Sequence, residues 1–136
     1  MYIEITVHTV QERMLIRFSR TRGSILKSLK SQKGESLGMK FHFIEPELDL
    51  NKKIPKTASY IRKEFPLSGK VKKATAYFTA CGLYKAYING REVDHQVLLP
   101  GNTSYAHRLQ YQQYDVTTYL QEGANAVTAV VGEGWY

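Results

Sequence analysis

The tract Leu83–Val93, LYKAYINGREV, sets the dipeptide Asn89-Gly90 between two strand-like runs. Asparagine and glycine both tolerate the positive φ that a tight type I′ turn demands at its two central positions, so the pair predicts a β-hairpin. The flanking chain keeps to the same grammar. Ser59 to Leu67 reads as a strand ended by Pro66 and the Ser68-Gly69 turn, and Ala74 to Ala80 alternates small and aromatic residues with threonine. Arg108 to Tyr114 reads as a further strand. Asp115 then offers an N-cap to one or two helical turns in VTTYLQEG, which Gly123 stops. The final strand, Ala126 to Val131, is almost free of polar residues, which suits burial between two layers. Short strands at this spacing predict a mostly β protein, an antiparallel β-sandwich of jelly-roll type.

A chain of 136 residues has room for one such core. With 43% hydrophobic and 23% charged residues the composition is that of a folding chain rather than a disordered one. Toward the N-terminus, Ile3, Ile5 and Val7, then Met14, Ile16 and Phe18 after a polar break, predict a hairpin. From Ser19 to Gly38 the chain is rich in Ser, Lys and Gly; Ile25, Leu26 and Leu29 stand at helical spacing, and a mobile connection with two helical turns is expected. Met39 to Ile44 reads as a short strand. The stretch EPELDLNKKIPK, with Pro46 and Pro55, interrupts it, because proline supplies no ladder hydrogen bond. The expected division is a basic lead-in over 1–38 and a sandwich module over 39–136. Trp135 and Tyr136 follow the last strand at once, so that strand is expected at an open edge and the sandwich to be incomplete at its C-terminus.

The net charge of +7 raises the question of nucleic acid. Seven basic residues (Arg13, Arg17, Arg20, Arg22, Lys27, Lys30 and Lys33) run without an acidic one. No nucleic-acid module or aromatic platform accompanies them, so a solvated basic face is the favoured reading and a small basic nucleic-acid binder the rival. No run of about 18 apolar residues exists to span a bilayer, and MYIEITVH lacks the pattern of a secretory signal. With the lone Cys81, which cannot form an internal disulfide, this makes a reducing compartment, the cytoplasm, the default expectation, with no membrane partner. Cys81 itself reads as a small buried hydrophobe within an apolar strand.

Phosphate-cradling glycine loops, His-Glu-x-x-His and G-x-S-x-G motifs are missing from the chain. Glycoside hydrolysis needs two carboxylates about 5 to 10 Å apart across a sugar. The acids Glu92, Asp94, Asp115, Glu122 and Glu133 fall at hairpin ends, caps and loops and offer no convincing pair. His95 and His107 with Asp94 lack an informative metal-ligand spacing and read as surface histidines. Ten tyrosines are many for this length; Tyr105, Tyr111, Tyr114 and Tyr136 gather with Trp135 near loops and strand ends. Aromatic faces can stack on sugars, while half-buried packing with the hydroxyl in water explains most tyrosines on a sandwich.

From Tyr60 onward, within about residues 55–136, the ordered motifs R-K-x-F, T-A-x-G-L-Y-x-A-Y-I-N-G, L-x-P-G-x-T-S-Y, Y-x-x-Y-D-V-T, E-G-x-N-A and G-x-G-W-Y together resemble the N-terminal β-sandwich module of bacterial α-L-rhamnosidases. The resemblance implies a non-catalytic accessory module, structural or carbohydrate-binding. Its parent glycosidase would release L-rhamnose from glycosides or polysaccharides through an (α/α)₆ catalytic domain that this chain lacks. It implies two partners, that catalytic domain and a rhamnose-containing saccharide. A free-standing carbohydrate-binding module is the alternative.

In some members, as the resemblance implies, calcium held by an Asp-Asn pair just after the N-G hairpin carries the sugar. Asp94 matches the aspartate and is the candidate metal ligand, while His95 stands at the asparagine position. An imidazole poorly replaces an amide oxygen for calcium. Asn102 occupies a place where the family often carries tryptophan. The candidate carbohydrate-binding residues are Asp94, His95, Trp135 and Tyr136, with core packing the competing role for Trp135.

Overall fold

The computed structural model describes residues 2–9, 13–17, 29–31, 36–37, 58–104 and 106–135, and before residue 58 it places only the Ile5 side chain. The described residues form ten strands: β1 (Tyr2–Thr9), β2 (Arg13–Arg17), β3 (Leu29–Ser31), β4 (Ser36–Leu37), β5 (Ser59–Leu67), β6 (Val71–Thr79), β7 (Leu83–Ile88), β8 (Arg91–Glu92), β9 (Leu109–Asp115) and β10 (Gly123–Gly132). A six-stranded sheet has the order β2-β1-β6-β9-β3-β4 and a four-stranded sheet the order β5-β10-β7-β8. Every pairing is antiparallel except β3 with β9. From β5 onward the chain crosses from one sheet to the other at β5–β6, β6–β7, β8–β9 and β9–β10, an order compatible with a jelly roll.

The two sheets share one core. Ile5, Ala74, Ala76 and Phe78 of the larger sheet pack with Phe65, Leu67, Ala86, Ile88, Val127 and Ala129 of the smaller. In β6 and β7 the buried positions recur every second residue, as a strand with one face inward requires. Alanines at 74, 76, 86 and 129 let the layers approach, and the fully buried Phe78 fills the space between them, a burial contributing about 2–3 kcal/mol.

The Asn89-Gly90 hairpin forms as its sequence predicts, with φ of 50° and 78°, and Ile88 pairs with Arg91. The N-terminal alternation likewise gives the β1–β2 hairpin, and β1 continues into the larger sheet along β6, Ile5 opposite Ala76. Phe18, Ile25, Leu26, the 39–44 strand and the two prolines at 46 and 55 lie outside the described residues.

Four local expectations change. Leu29, read as helical, opens β3, paired in parallel with Leu109 of β9, because tertiary strand pairing overrides a weak local period. Pro66 sits inside β5 rather than ending it. β5 is an edge strand, where a missing N–H is tolerated. β10, expected at an open edge, lies between β5 and β7 with ladder partners on both sides. The segment after Asp115 holds one turn, within the one or two expected, but it is a 3₁₀ turn, Thr117–Tyr119, whose N-cap position is Val116 rather than Asp115.

Candidate functional site

The segment after the hairpin turns back on itself. Val93 donates its N–H to the Ala86 carbonyl at 2.9 Å, and Asp94 Oδ1 then accepts the Gln96 N–H at 2.8 Å, the local turn that a short carboxylate side chain makes with its own backbone. Val97 and Leu98 are exposed, and Leu98 holds a φ of 60°, a region costly for a bulky residue. Leu99 returns to the core. Its carbonyl accepts the Tyr84 N–H at 2.9 Å, so the loop is pinned along the free edge of β7.

Beneath this loop lies a group of aromatic and polar side chains drawn from both sheets. Phe78 is flanked by Tyr84 and Tyr114, with ring centroids 6.1 and 5.9 Å away. Tyr84 donates its hydroxyl to Gln112 Oε1 at 2.7 Å, and Gln112 Nε2 donates to the Pro100 carbonyl at 3.0 Å. This buried chain joins β7, β9 and the loop, so each group is oriented by its neighbour. Tyr114 lies opposite Ala76 in the β6–β9 register. Its hydroxyl is buried and makes no hydrogen bond.

Asp94 is the charge that this group faces. Burial pushes the Tyr114 phenol well above the ordinary tyrosine range, the nearby Asp94 carboxylate pushes the same way, and Tyr84 acts against it. The Tyr84 phenol is raised too, first by burial, then by Tyr114 and, least, by Asp94. Two buried phenols thus stay protonated beside a half-buried carboxylate. Such an arrangement can orient Asp94 to accept hydroxyl donors.

The other candidates are dispersed. His95 is exposed. Trp135 is 53% exposed, past the end of β10, where Gly134 packs closely against Gly82 and Leu83 at the start of β7. Tyr136 and Tyr105 lie outside the described residues. The tyrosines do not form one cluster: Tyr111 meets Tyr77 at 6.0 Å, while Tyr114, three residues along the strand, meets Phe78. An odd spacing on a strand puts the two on opposite faces. Cys81 lies in the turn between β6 and β7 and is half-exposed rather than buried in a strand. Asn102 is exposed.

Sequence reasoning singled out Asp94 but gave Tyr84 and Gln112 no role and Tyr114 only a general one. The signal available was spacing. Gln112 and Tyr114 are two apart on β9 and pair with Phe78 and Ala76, the inward positions of β6.

Calcium takes six to eight oxygens. Among the described residues no group of three or more His, Cys, Asp or Glu could hold a metal ion, and Asp94 is the only acidic residue from Val93 to Ser104. With the exposed His95 where a second oxygen donor is wanted, these residues do not fit a calcium site.

Fold and site together define a class, the two-layer antiparallel β-sandwich domain. The family follows from comparison with known proteins. A family model described as the alpha-L-rhamnosidase N-terminal domain matches residues 69–136, half of the sequence, and the chain belongs to that family. An α-L-rhamnosidase of Streptomyces avermitilis is 49% identical over 84 residues, covering 61% of this chain and 8% of its own length. The chain therefore spans less than a tenth of that relative. A solved structure of a Streptomyces avermitilis α-L-rhamnosidase complexed with L-rhamnose is 51% identical, with a TM-score of 0.55 over 57% of this chain and 8% of the other. The α-L-rhamnosidase of Aspergillus terreus is 27% identical with a TM-score of 0.60, covering 99% of this chain and 20% of that one.

Proposed function

We propose that this chain is a non-catalytic accessory module of an α-L-rhamnosidase, packing beside the catalytic domain of its parent and gripping a rhamnose-containing saccharide at the Asp94 end of the sandwich. The observation that carries the reading is the family match over residues 69–136, which spans β7, the Asp94 loop, β9 and β10. The half-buried Asp94 carboxylate supports the saccharide part: charged acceptors form strong hydrogen bonds to sugar hydroxyls, and the aromatic group below holds the loop in place. Trp135 and His95 are exposed and accessible to such a ligand. Two of the other acids weighed from the sequence serve structure elsewhere. Glu92 pairs with Lys85 at 2.5 Å, and Asp115 accepts from Thr117.

Calorimetric titration of the chain with L-rhamnose, with and without calcium, tests the reading. Saturable binding that Asp94→Ala abolishes is expected, and the poor donor set predicts the same affinity in either buffer. Absence of binding leaves a purely structural module.

A further inference from the structure

The turn that sets the β7–β8 hairpin also carries a chemically labile dipeptide. Of the four asparagines, only Asn89 is followed by glycine, which has no side chain to shield its backbone nitrogen. Both residues of the pair are exposed, so water and base reach them. The Gly90 nitrogen can attack the Asn89 side-chain amide carbon, but the five-membered ring closes only when that amide swings over the nitrogen. In the folded chain the amide is held elsewhere. Both Nδ2 hydrogens are committed, one to the Tyr119 carbonyl at 2.9 Å and one to Asn125 Oδ1 at 2.8 Å, while Oδ1 accepts the Ala126 N–H at 2.8 Å. These partners lie 30 to 37 positions further along the chain, so tertiary contacts rather than the turn itself fix the amide. Asn125 cannot turn its amide round to compensate. It spends its own Nδ2 on the Gln121 carbonyl at 2.7 Å and the Gly123 carbonyl at 3.0 Å, which leaves Oδ1 as the acceptor toward Asn89.

We propose that Asn89 is a deamidation site which these three bonds keep inert, and that its conversion to aspartate opens this end of the sandwich. In the reaction the Gly90 nitrogen forms a bond to Asn89 Cγ, the Cγ–Nδ2 bond breaks, and ammonia leaves with the proton that the nitrogen gives up. Water then opens the succinimide to aspartate or isoaspartate. The amide reaches the attacking geometry only when its bonds open together, so the rate follows the population of the opened end. The product cannot rejoin the set. A carboxylate offers no donor, so an oxygen would face the Tyr119 carbonyl and Asn125 Oδ1, acceptor against acceptor, and the buried Asn125 would lose a partner. Isoaspartate also lengthens the backbone of a two-residue turn whose strands pair at Ile88 and Arg91.

The test is peptide-mapping mass spectrometry of the full chain held under mildly alkaline conditions, well below its melting transition, beside Asn125→Ala and Phe78→Leu. The first variant removes one of the three bonds, and the second weakens the core away from them. Asn89 is expected to deamidate far more slowly in the unaltered folded chain than in the same chain unfolded in urea. Loss of one bond should make it about tenfold faster in Asn125→Ala, with Phe78→Leu close to the unaltered chain. Equal rates in the folded and urea-unfolded chain overturn the proposal. Equal rates in Asn125→Ala and Phe78→Leu overturn it too, since protection would then belong to the fold as a whole. Asn89→Asp, the product made directly, should melt below the unaltered chain, and an unchanged melting temperature would refute the opening that deamidation is said to cause.

Discussion

Asn89 Nδ2 donates to Asn125 Oδ1 at 2.8 Å, tying the β7–β8 turn to the start of β10 across 36 positions of sequence. The bond is one of a closed set. Asn89 also donates to the Tyr119 carbonyl and accepts the Ala126 N–H, while the buried Asn125 donates to the Gln121 and Gly123 carbonyls and accepts the Gln121 N–H. Every polar atom of both side chains has a partner, and the knot closes the sandwich at the end where hairpin, 3₁₀ turn and last strand meet.

Asn125→Ala is accordingly expected to cost about 2–4 kcal/mol, since it orphans several backbone groups at once. Urea unfolding checks this through the midpoint at constant m-value. A loss under about 0.5 kcal/mol, ordinary for a surface site, would remove the knot as a stabilising element.

Two glycines with left-handed backbones should separate cleanly. At Gly82, φ +123°, a Cβ would collide with the Gly132 carbonyl oxygen, whereas at Gly90, φ +78°, it would meet open space. Gly90→Ala should cost only the backbone term, about 1–2 kcal/mol. Gly82→Ala should cost clearly more, because the last strand must shift. Equal unfolding midpoints for the two variants would contradict the close approach of β10 to the β6–β7 turn.

Alkaline pH should unfold the chain through its buried phenols. The Tyr84 and Tyr114 phenols are both raised, by burial first. A raised folded value means that their contribution to stability is complete below the unfolded tyrosine value of about 10 and is lost as pH rises beyond it. Stability followed from pH 8 to about 11 should fall more steeply in the unaltered chain than in Tyr114→Phe, which has one phenol fewer to ionise. Parallel curves would show that Tyr114 is solvated.

Acid should act through Asp115. Its carboxyl is held below the ordinary range, chiefly by the Thr117 hydroxyl at 2.6 Å and then by the Thr117 N–H at 3.0 Å. A depressed folded value contributes stability above the unfolded carboxylate range that is lost as pH falls through the folded one. In Thr117→Val the Asp115 carboxyl should titrate closer to its ordinary value by NMR, and in Thr117→Ser it should stay low. No difference between the two variants would assign the shift to the backbone alone.

Much of this architecture is legible in the chain. Asn89-Gly90 specifies its turn because two adjacent residues both accept positive φ, and the two-residue period of Ala74, Ala76 and Phe78 marks the face that goes inward. The ordered motifs from Tyr60 onward point to the family that the comparison establishes over residues 69–136. These are local properties, fixed by φ preferences and side-chain alternation, so a single sequence carries them.

Neighbourhood is another matter, and only the tertiary structure decided it. That β10 runs between β5 and β7, that Pro66 is harmless because β5 is an edge, and that Leu29 joins a parallel pair with Leu109 depend on contacts between distant segments. The site shows the same divide. Asp94 is visible as an acid after a hairpin, but its relation to Tyr84 and Tyr114 exists only once both sheets close around Phe78, because burial and the nearness of a charge, rather than residue type, set what those hydroxyls do.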